Sequence, residues 1–519
     1  MKRALFAMGL ALAGLGGCSE KPQPARANVL LITIDTLRRD HVSSYGYRRE
    51  TTPNLDRLAA EGLIFDNAST PRAKTSPALA SLFTGSYPHE HGVRELLQPL
   101  DPEVPVLAQA LRRAGYQCAA IVGNYVLQER HCGFARGFEH YIESLPALQG
   151  VPPNDVPQRT AASMTRAAQV ALGLERAPEK DTGGAAFEPA SQLLDRERPW
   201  FLWLHYMDPH GAYDPPPEQR VFQSEAPRWV DPSVSAVGSH KTRVSEYNIP
   251  SQARDARGHF DADAVIDLYD GEIRFADAEI GRLLDSLRAQ GALENTWIVV
   301  SSDHGESLGE HDYWFEHGFY ACEATCAVPL IVRPPDNLLG RPPPGRRQGA
   351  MSLADLGPTL AEWIDVPFRV AASGGPAGFG GASRASLLAA DDVRPFATFS
   401  EKIEAADRLG TVQIKAVRLG RFKLIRRWAH GPGREPGETK RLKLLGEELY
   451  DLGADPLELR DLASDPPDDA PLDELRAALL EFGAADAPFE ELERVLNRRR
   501  AALEASDADA LSKLKALGY

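Results

Sequence analysis

The chain has 519 residues, a length that corresponds to about three domains. With 43% apolar and 25% charged residues it has the balance of a soluble globular protein, which excludes a wholly disordered chain and a multi-span membrane protein. Seventy-three acidic residues against 58 basic ones leave a net charge of −15, which argues against a protein built to neutralise nucleic-acid phosphates.

In chain order, Lys2 and Arg3 precede an apolar stretch, Ala4–Gly17. It is shorter than the roughly 20 residues a spanning helix needs, and has the charged start and apolar core of a secretory signal. Its end, Leu15-Gly16-Gly17-Cys18, resembles the lipobox of bacterial lipoproteins. That resemblance implies lipidation at Cys18, residues 19–26 as a polar tether, and a membrane partner through the lipid. With Ser19 next, it implies an outer-membrane lipoprotein facing the periplasm or the outside. An ordinary cleaved signal with an incidental Cys is the alternative.

Short β-branched or aromatic runs follow, bounded by turn or polar residues: Val29–Ile34, Cys118–Val122, Trp200–Tyr206, Trp297–Val300 and Pro329–Val332. They predict buried parallel strands. Between them, Asn54–Glu61 reads as a helix closed by Gly62, and Ala276–Gln290 as a helix with Ile280, Leu283, Leu284 and Leu287 on one face. Strands alternating with helices predict an α/β fold with a mainly parallel sheet flanked by helices. The stretches near 145–195 and 222–262 read as insertions. Beyond 365, Ile414–Leu419 and Phe422–Arg426 alternate as in an antiparallel sheet, and an amphipathic helical end begins at Pro471. The expected organisation is a catalytic domain over 27–365, a small α+β subdomain over 366–466 and a helical tail over 467–519. Cys118, Cys132, Cys322 and Cys326 lack zinc-ribbon spacing. Outside the cytoplasm disulfides are permitted, and sequence proximity favours Cys118–Cys132 and Cys322–Cys326.

Ligands of parallel sheets bind beyond the carboxyl ends of the strands. Three such ends carry polar groups: Asp35, Asp208-Pro209-His210 and Asp303-His304-Gly305-Glu306. A fourth element, Thr75 to Gly85, has Pro77 in its first turn and Gly85 at its end. A hydroxyl at that helix N-terminus stands where free N–H groups favour an anion, or is an ordinary N-cap.

Together these segments resemble the sulfatase family of the alkaline-phosphatase superfamily, from about residue 28 to about 465. The resemblance rests on Asn28–Asp40, Thr52–Ala59, Thr84–Val93, Ser302–Glu306 with Leu308-Gly309-Glu310-His311, and Tyr450-Asp451-Leu452 with Asp455-Pro456. It implies an alkaline-phosphatase-like fold and one divalent metal ion (zinc, manganese or calcium) on Asp35, Thr75, Asp303 and His304. Thr75 would be the nucleophile, with His210 and His317 on substrate oxygens or as general acids.

Three departures matter. Thr75 stands where sulfatases carry the Cys or Ser converted to formylglycine, so no formylglycine is expected, and Leu79 replaces the motif's Arg. Gly123-Asn124-Tyr125 replaces a Lys-bearing segment, and Thr36 stands where many members have a second Asp. Asn124 and Lys74 are the residues left to contact substrate, although Lys74 reads more simply as a solvated surface lysine. The leading expectation is a metal-dependent hydrolase of small-molecule or glycan sulfuric or phosphoric esters. A phosphoethanolamine-type transferase and a catalytically silent glycan-binding lipoprotein are the alternatives.

Overall fold

The structure, a computed structural model, describes residues 26–145, 158–180, 186–233, 243–368, 381–389, 397–404, 412–430 and 442–484. The lipobox with Cys18, the tether up to residue 25, and the tail beyond Ala484 lie outside the described residues. Among the described residues no helix is long and apolar enough to cross a membrane.

An eight-stranded sheet forms the centre. In chain order its strands are β1 (Asn28–Ile34), β2 (Leu63–Ser69), β3 (Gln117–Val122), β4 (His140–Ile142), β5 (Trp200–Tyr206), β6 (Thr296–Ser302), β7 (Leu330–Arg333) and β8 (Gly345–Ser352). They lie side by side in the order β8-β2-β7-β6-β1-β5-β3-β4. β1 is buried along its whole length because the sheet is covered on both faces, which is why it reads as an unbroken apolar run. Val29 and Leu31 enter one layer, with α2 (Thr75–Thr84) and α5 (Leu353–Trp363). Leu30, Ile32 and Ile34 enter the other, with α1 (Pro53–Glu61), α3 (Ala161–Ala171) and α4 (Ala262–Ala289).

One strand departs from expectation: β7 runs antiparallel to both β6 and β2. A short apolar run buried on both faces carries no information about direction. β2, β4 and β8 were not anticipated. β8 alternates buried with exposed residues at the sheet edge and contains two arginines, so no apolar run marks it. α4 begins 14 residues before the predicted start of its helix. Its first half buries Asp270 and Glu272 instead of a purely apolar stripe.

The C-terminal part is an antiparallel sheet of β9 (Thr398–Glu404), β10 (Val412–Leu419), β11 (Phe422–His430) and β12 (Leu442–Asp451), paired in sequence order. Helix α6 (Leu472–Ala484) packs on it, with Phe482 stacked on Phe399 at 4.5 Å.

The expected disulfides are absent: Cys118, Cys132, Cys322 and Cys326 are free and buried. The thiols are directed at separate partners. Cys118 Sγ faces the Ala108 carbonyl at 3.7 Å, and Cys132 Sγ the Leu127 carbonyl at 3.2 Å. Cys322 and Cys326 flank a single helical turn, and Cys322 Sγ lies 3.6 Å from Thr325 Oγ1. Burial pushes the Cys118, Cys132 and Cys322 thiols up to about 12.

Candidate active site

The carboxyl ends of β1, β5 and β6 converge, as parallel neighbours must. Asp35 follows β1, and its N–H donates to the Tyr206 carbonyl at the end of β5 at 2.9 Å. Asp303 and His304 follow β6. All three side chains are fully buried. Their ligand atoms lie within 4.8 Å of one another, with His304 Nε2 at 3.4 Å from Asp303 Oδ2 and 3.9 Å from Asp35 Oδ1.

The hydrogen bonds around this trio leave one atom of each residue over. His304 Nδ1 donates to the Gly305 carbonyl at 2.9 Å, so Nε2 presents its lone pair. Asp303 Oδ1 accepts the N–H groups of His304 at 2.8 Å and Thr36 at 3.3 Å. Thr36 holds that N–H in place from a left-handed backbone (φ +55°), with its own carbonyl accepting Tyr269 Oη at 2.7 Å. Asp35 Oδ2 accepts Asn124 Nδ2 at 2.9 Å and His205 Nε2 at 3.2 Å. What remains is Asp35 Oδ1, Asp303 Oδ2 and His304 Nε2, each buried without a hydrogen-bond partner. Buried polar atoms are almost always paired, and two carboxylates with an imidazole are a donor set for a divalent cation such as zinc or manganese. The residues fit the metal the resemblance implies.

The protonation of the trio tells the same story. Burial, with His317 nearby, depresses the His304 imidazole to about 3 and keeps it neutral, the form that ligates. Burial and the charge of Asp35 push the Asp303 carboxyl well above its ordinary range. Burial opposes ionisation of Asp35 too, but the His205 hydrogen bond and the neighbouring imidazoles hold it below the usual carboxylate range. Two facing carboxylates resist carrying two charges without a cation between them.

Thr75 opens α2, with its Oγ1 3.5 Å from Asp35 Oδ2. Lys74, the N-cap residue, offers no side-chain cap, so the first N–H groups of the helix are not occupied by one. The helix is buried at every position and closes at Gly85, in the left-handed conformation. A hydroxyl therefore stands beside these three ligand atoms at the positive end of a buried helix.

His210 and His317 stand next to the trio. The His317 ring lies 4.4 Å from that of His304 and 5.5 Å from that of His210. Burial depresses His317 to about 3. Its Nδ1 faces Glu306 Oε1 at 3.2 Å, and Glu306 Oε2 accepts Tyr213 Oη at 3.2 Å. Burial raises Glu306 to about 7. His210 Nδ1 donates to the Gly211 carbonyl at 3.0 Å. Asp208, two residues before, turns away and accepts the Ala161 N–H at the start of α3 at 2.6 Å.

Lys74 is buried, which overturns its reading as a solvated surface lysine: its Nζ pairs with Glu95, which Arg72 also holds. Its stem lies against Gly318, beside His317. Asn124 does two jobs, donating to Asp35 and accepting the Val126 N–H at 2.9 Å. His205 and Tyr213 had no role in the sequence reading, and Glu306 entered it only as the end of the Asp303–Glu306 segment. A single imidazole inside an otherwise apolar seven-residue strand was the signal for His205.

The sulfatase family profile matches residues 27–366. The choline-sulfatase of Rhizobium meliloti (strain 1021) is 26% identical over 521 residues, covering 90% of this chain and 89% of its own. A solved structure in complex with its substrate D-glucosamine-2-N,6-O-disulfate superimposes with a TM-score of 0.63 at 21% identity, over 89% of this chain and 98% of the other. The phosphonate monoester hydrolase of Agrobacterium radiobacter does so with 0.57 at 22% identity, over 92% and 96%. A profile match across the whole central sheet, converging on the strand ends where Asp35, Asp303 and His304 meet, leaves one conclusion: the chain belongs to the sulfatase family of the alkaline-phosphatase superfamily.

Proposed function

We propose that the protein is a metal-dependent hydrolase of sulfuric or phosphoric esters in which Thr75 is the nucleophile. One observation carries this reading: the Thr75 hydroxyl lies 3.5 Å from Asp35, beside three unpartnered ligand atoms and at the N-terminus of an uncapped buried helix. The relatives support the substrate class, since their names include a choline-sulfatase and a phosphonate monoester hydrolase.

Asp35, Asp303, His304 and Thr75 would hold the cation. When bound, it neutralises ester oxyanions and acidifies a hydroxyl. With its proton released to solvent, Thr75 Oγ attacks the central sulfur or phosphorus, forming a threonyl ester as the bond to the leaving oxygen breaks. The leaving oxygen takes the Nε2 proton of His317, and Glu306, raised to about 7, supplies the replacement at Nδ1. His210 borders the same space and orients substrate oxygens. Water then attacks the threonyl ester, restoring Thr75 and returning a proton to the His317–Glu306 pair. With Thr at this position the reaction needs no formylglycine. Lys74, buried beside His317, adds positive charge near the substrate. The N-terminal segment would tether the enzyme to the cell envelope through Cys18.

Thr75→Ala should lower turnover more than about 10³-fold, as loss of a nucleophile does, with an unchanged circular dichroism spectrum. Thr75→Ser should keep a measurable fraction. A panel of aryl sulfate, phosphate monoester, phosphate diester and phosphonate substrates with Zn²⁺, Mn²⁺ and Ca²⁺ identifies the ester. Full activity in Thr75→Ala excludes Thr75 as nucleophile.

A further inference from the structure

We propose that His311, Cys322 and Glu458 form a second metal site, for a zinc ion, that fastens the catalytic domain to the C-terminal sheet. His311 closes the Leu308–His311 segment of the family resemblance, but its ring does not join the Asp35 trio. It lies 5.0 Å from Tyr320 and 6.1 Å from Tyr450. Its Nε2 faces Glu458 Oε2 at 3.8 Å. The ligand atoms of His311, Cys322 and Glu458 all lie within 4.8 Å of one another. Imidazole, thiol and carboxylate are the three side-chain donors zinc takes, and three protein ligands leave a fourth position for water.

The residues around the cluster leave room for this role. His311 Nε2 is sealed from solvent without a hydrogen-bond partner. The Cys322 thiol has only a weak contact, with Thr325 Oγ1 at 3.6 Å. Glu458 Oε2 accepts the Glu323 N–H at 2.7 Å, and Oε1 lies 2.8 Å from Lys423 Nζ. Lys423 is matched by Glu323, whose Oε1 lies 3.0 Å away. Glu323 also holds Arg418 at 3.2 Å and Arg39 at 3.8 Å. His311 and Glu458 both hold left-handed backbones, φ +55° and +58°, a conformation non-glycine residues keep where the surroundings impose it. Burial pushes the Cys322 thiol up to about 12, so zinc binding replaces the S–H bond with a Zn–S bond and releases one proton to solvent. His311 and Cys322 come from the segment between β6 and β7 and Glu458 from the segment after β12, so the ion ties two parts of the chain.

The Asp35 site has no sulfur ligand, which makes the two sites spectroscopically separable. The whole protein, stripped of metal with a chelator, is titrated with Co²⁺ and then Zn²⁺. The expected result is two ions per chain and a near-ultraviolet thiolate-to-cobalt charge-transfer band that Zn²⁺ abolishes. Cys322→Ser should lose that band and one ion while keeping the other, and His311→Gln should weaken the band-forming site at least tenfold. Saturation of the wild-type chain with no charge-transfer band, or a band that survives Cys322→Ser, overturns the proposal. Neither readout depends on turnover, so failure of the Thr75 reading leaves it standing.

Discussion

At the scale of single residues, the geometry of Asp35 is set in part by a chain of hydrogen bonds running through the interior of the sheet. Trp203 Nε1 donates to Thr33 Oγ1 at 2.9 Å. The Thr33 hydroxyl in turn lies 2.9 Å from His205 Nδ1, closer than its other acceptor, the Leu204 carbonyl at 3.4 Å. With the Thr33 hydroxyl donating to Nδ1, His205 carries its ring proton on Nε2 and donates it to Asp35 Oδ2 at 3.2 Å. The chain of bonds fixes one tautomer and turns Oδ1 toward the cation site. Outer partners of this kind alter metal affinity by about 10–100-fold. His205→Ala should weaken divalent-metal binding by that factor in calorimetric titration. His205→Gln, whose amide reaches the same place, should recover most of it. A merely structural role would instead lower the unfolding temperature of both variants with affinity unchanged. Asp35, Asp303 and His304 were legible because a polar residue after an apolar strand is conspicuous. His205 was not, because its link to Asp35 exists only through the register that sets Thr33 opposite it.

At the scale of elements, Gly305 shows how tightly the turn carrying Asp303 and His304 is fitted. A Cβ at this position would lie 2.2 Å from the Ala324 carbonyl oxygen, and a backbone atom in a packed turn has nowhere to go. Gly305 N also donates to the Thr325 carbonyl at 2.9 Å, which locks the approach. Gly305→Ala should destabilise the fold by about 1–3 kcal/mol, as overpacking does, in urea denaturation. It should also displace His304 and weaken metal binding. Element identity was legible where apolar periodicity was clean, as in the second half of α4, and lost where charge entered the interior. In the first half of that helix Asp270 pairs with His41 at 2.7 Å and Arg49 at 2.7 Å, and just past its middle Asp277 accepts the N–H groups of Asn54 and Leu55. Those partners lie more than 200 positions away in the chain, so nothing local announced that the carboxylates would be buried.

At the scale of the whole molecule, a net charge of −15 opposes an anionic substrate, so in the proposed function attraction comes from the proposed cation and the α2 terminus and not from the overall field. The three-domain length prior gives way to one large α/β domain with an antiparallel sheet attached, an outcome set by the number of strands the central sheet recruits. Buried imidazoles shape the acid response. His91 lies behind α2, with Nδ1 accepting the Val93 N–H at 3.1 Å and Nε2 donating to Ser81 Oγ at 2.9 Å. Burial depresses it to about 3. In the unfolded chain it takes its proton near 6.5, so between those values the unfolded state binds more protons. Its contribution is therefore complete above pH 6.5 and is lost as pH falls toward 3. In thermal melts of chelated protein across that range, His91→Gln should show a shallower loss of stability on acidification than the wild type.

The reversed strand β7 has a consequence for how this enzyme changes. Because β7 lies antiparallel to β6, with Leu330 opposite Ser301, the chain leaves the sheet and re-enters it on the same edge, one strand spacing apart, about 4.8 Å. Asp303, His304, Glu306, His317 and Cys322 all lie on that single excursion. In polymer terms it is a loop whose ends are clamped, and doubling such a loop costs only about 0.6 kcal/mol in closure entropy. New material can be threaded into its outer span while the clamped ends stay fixed. Substrate preference can thus drift by insertion there without re-registering any strand of the sheet.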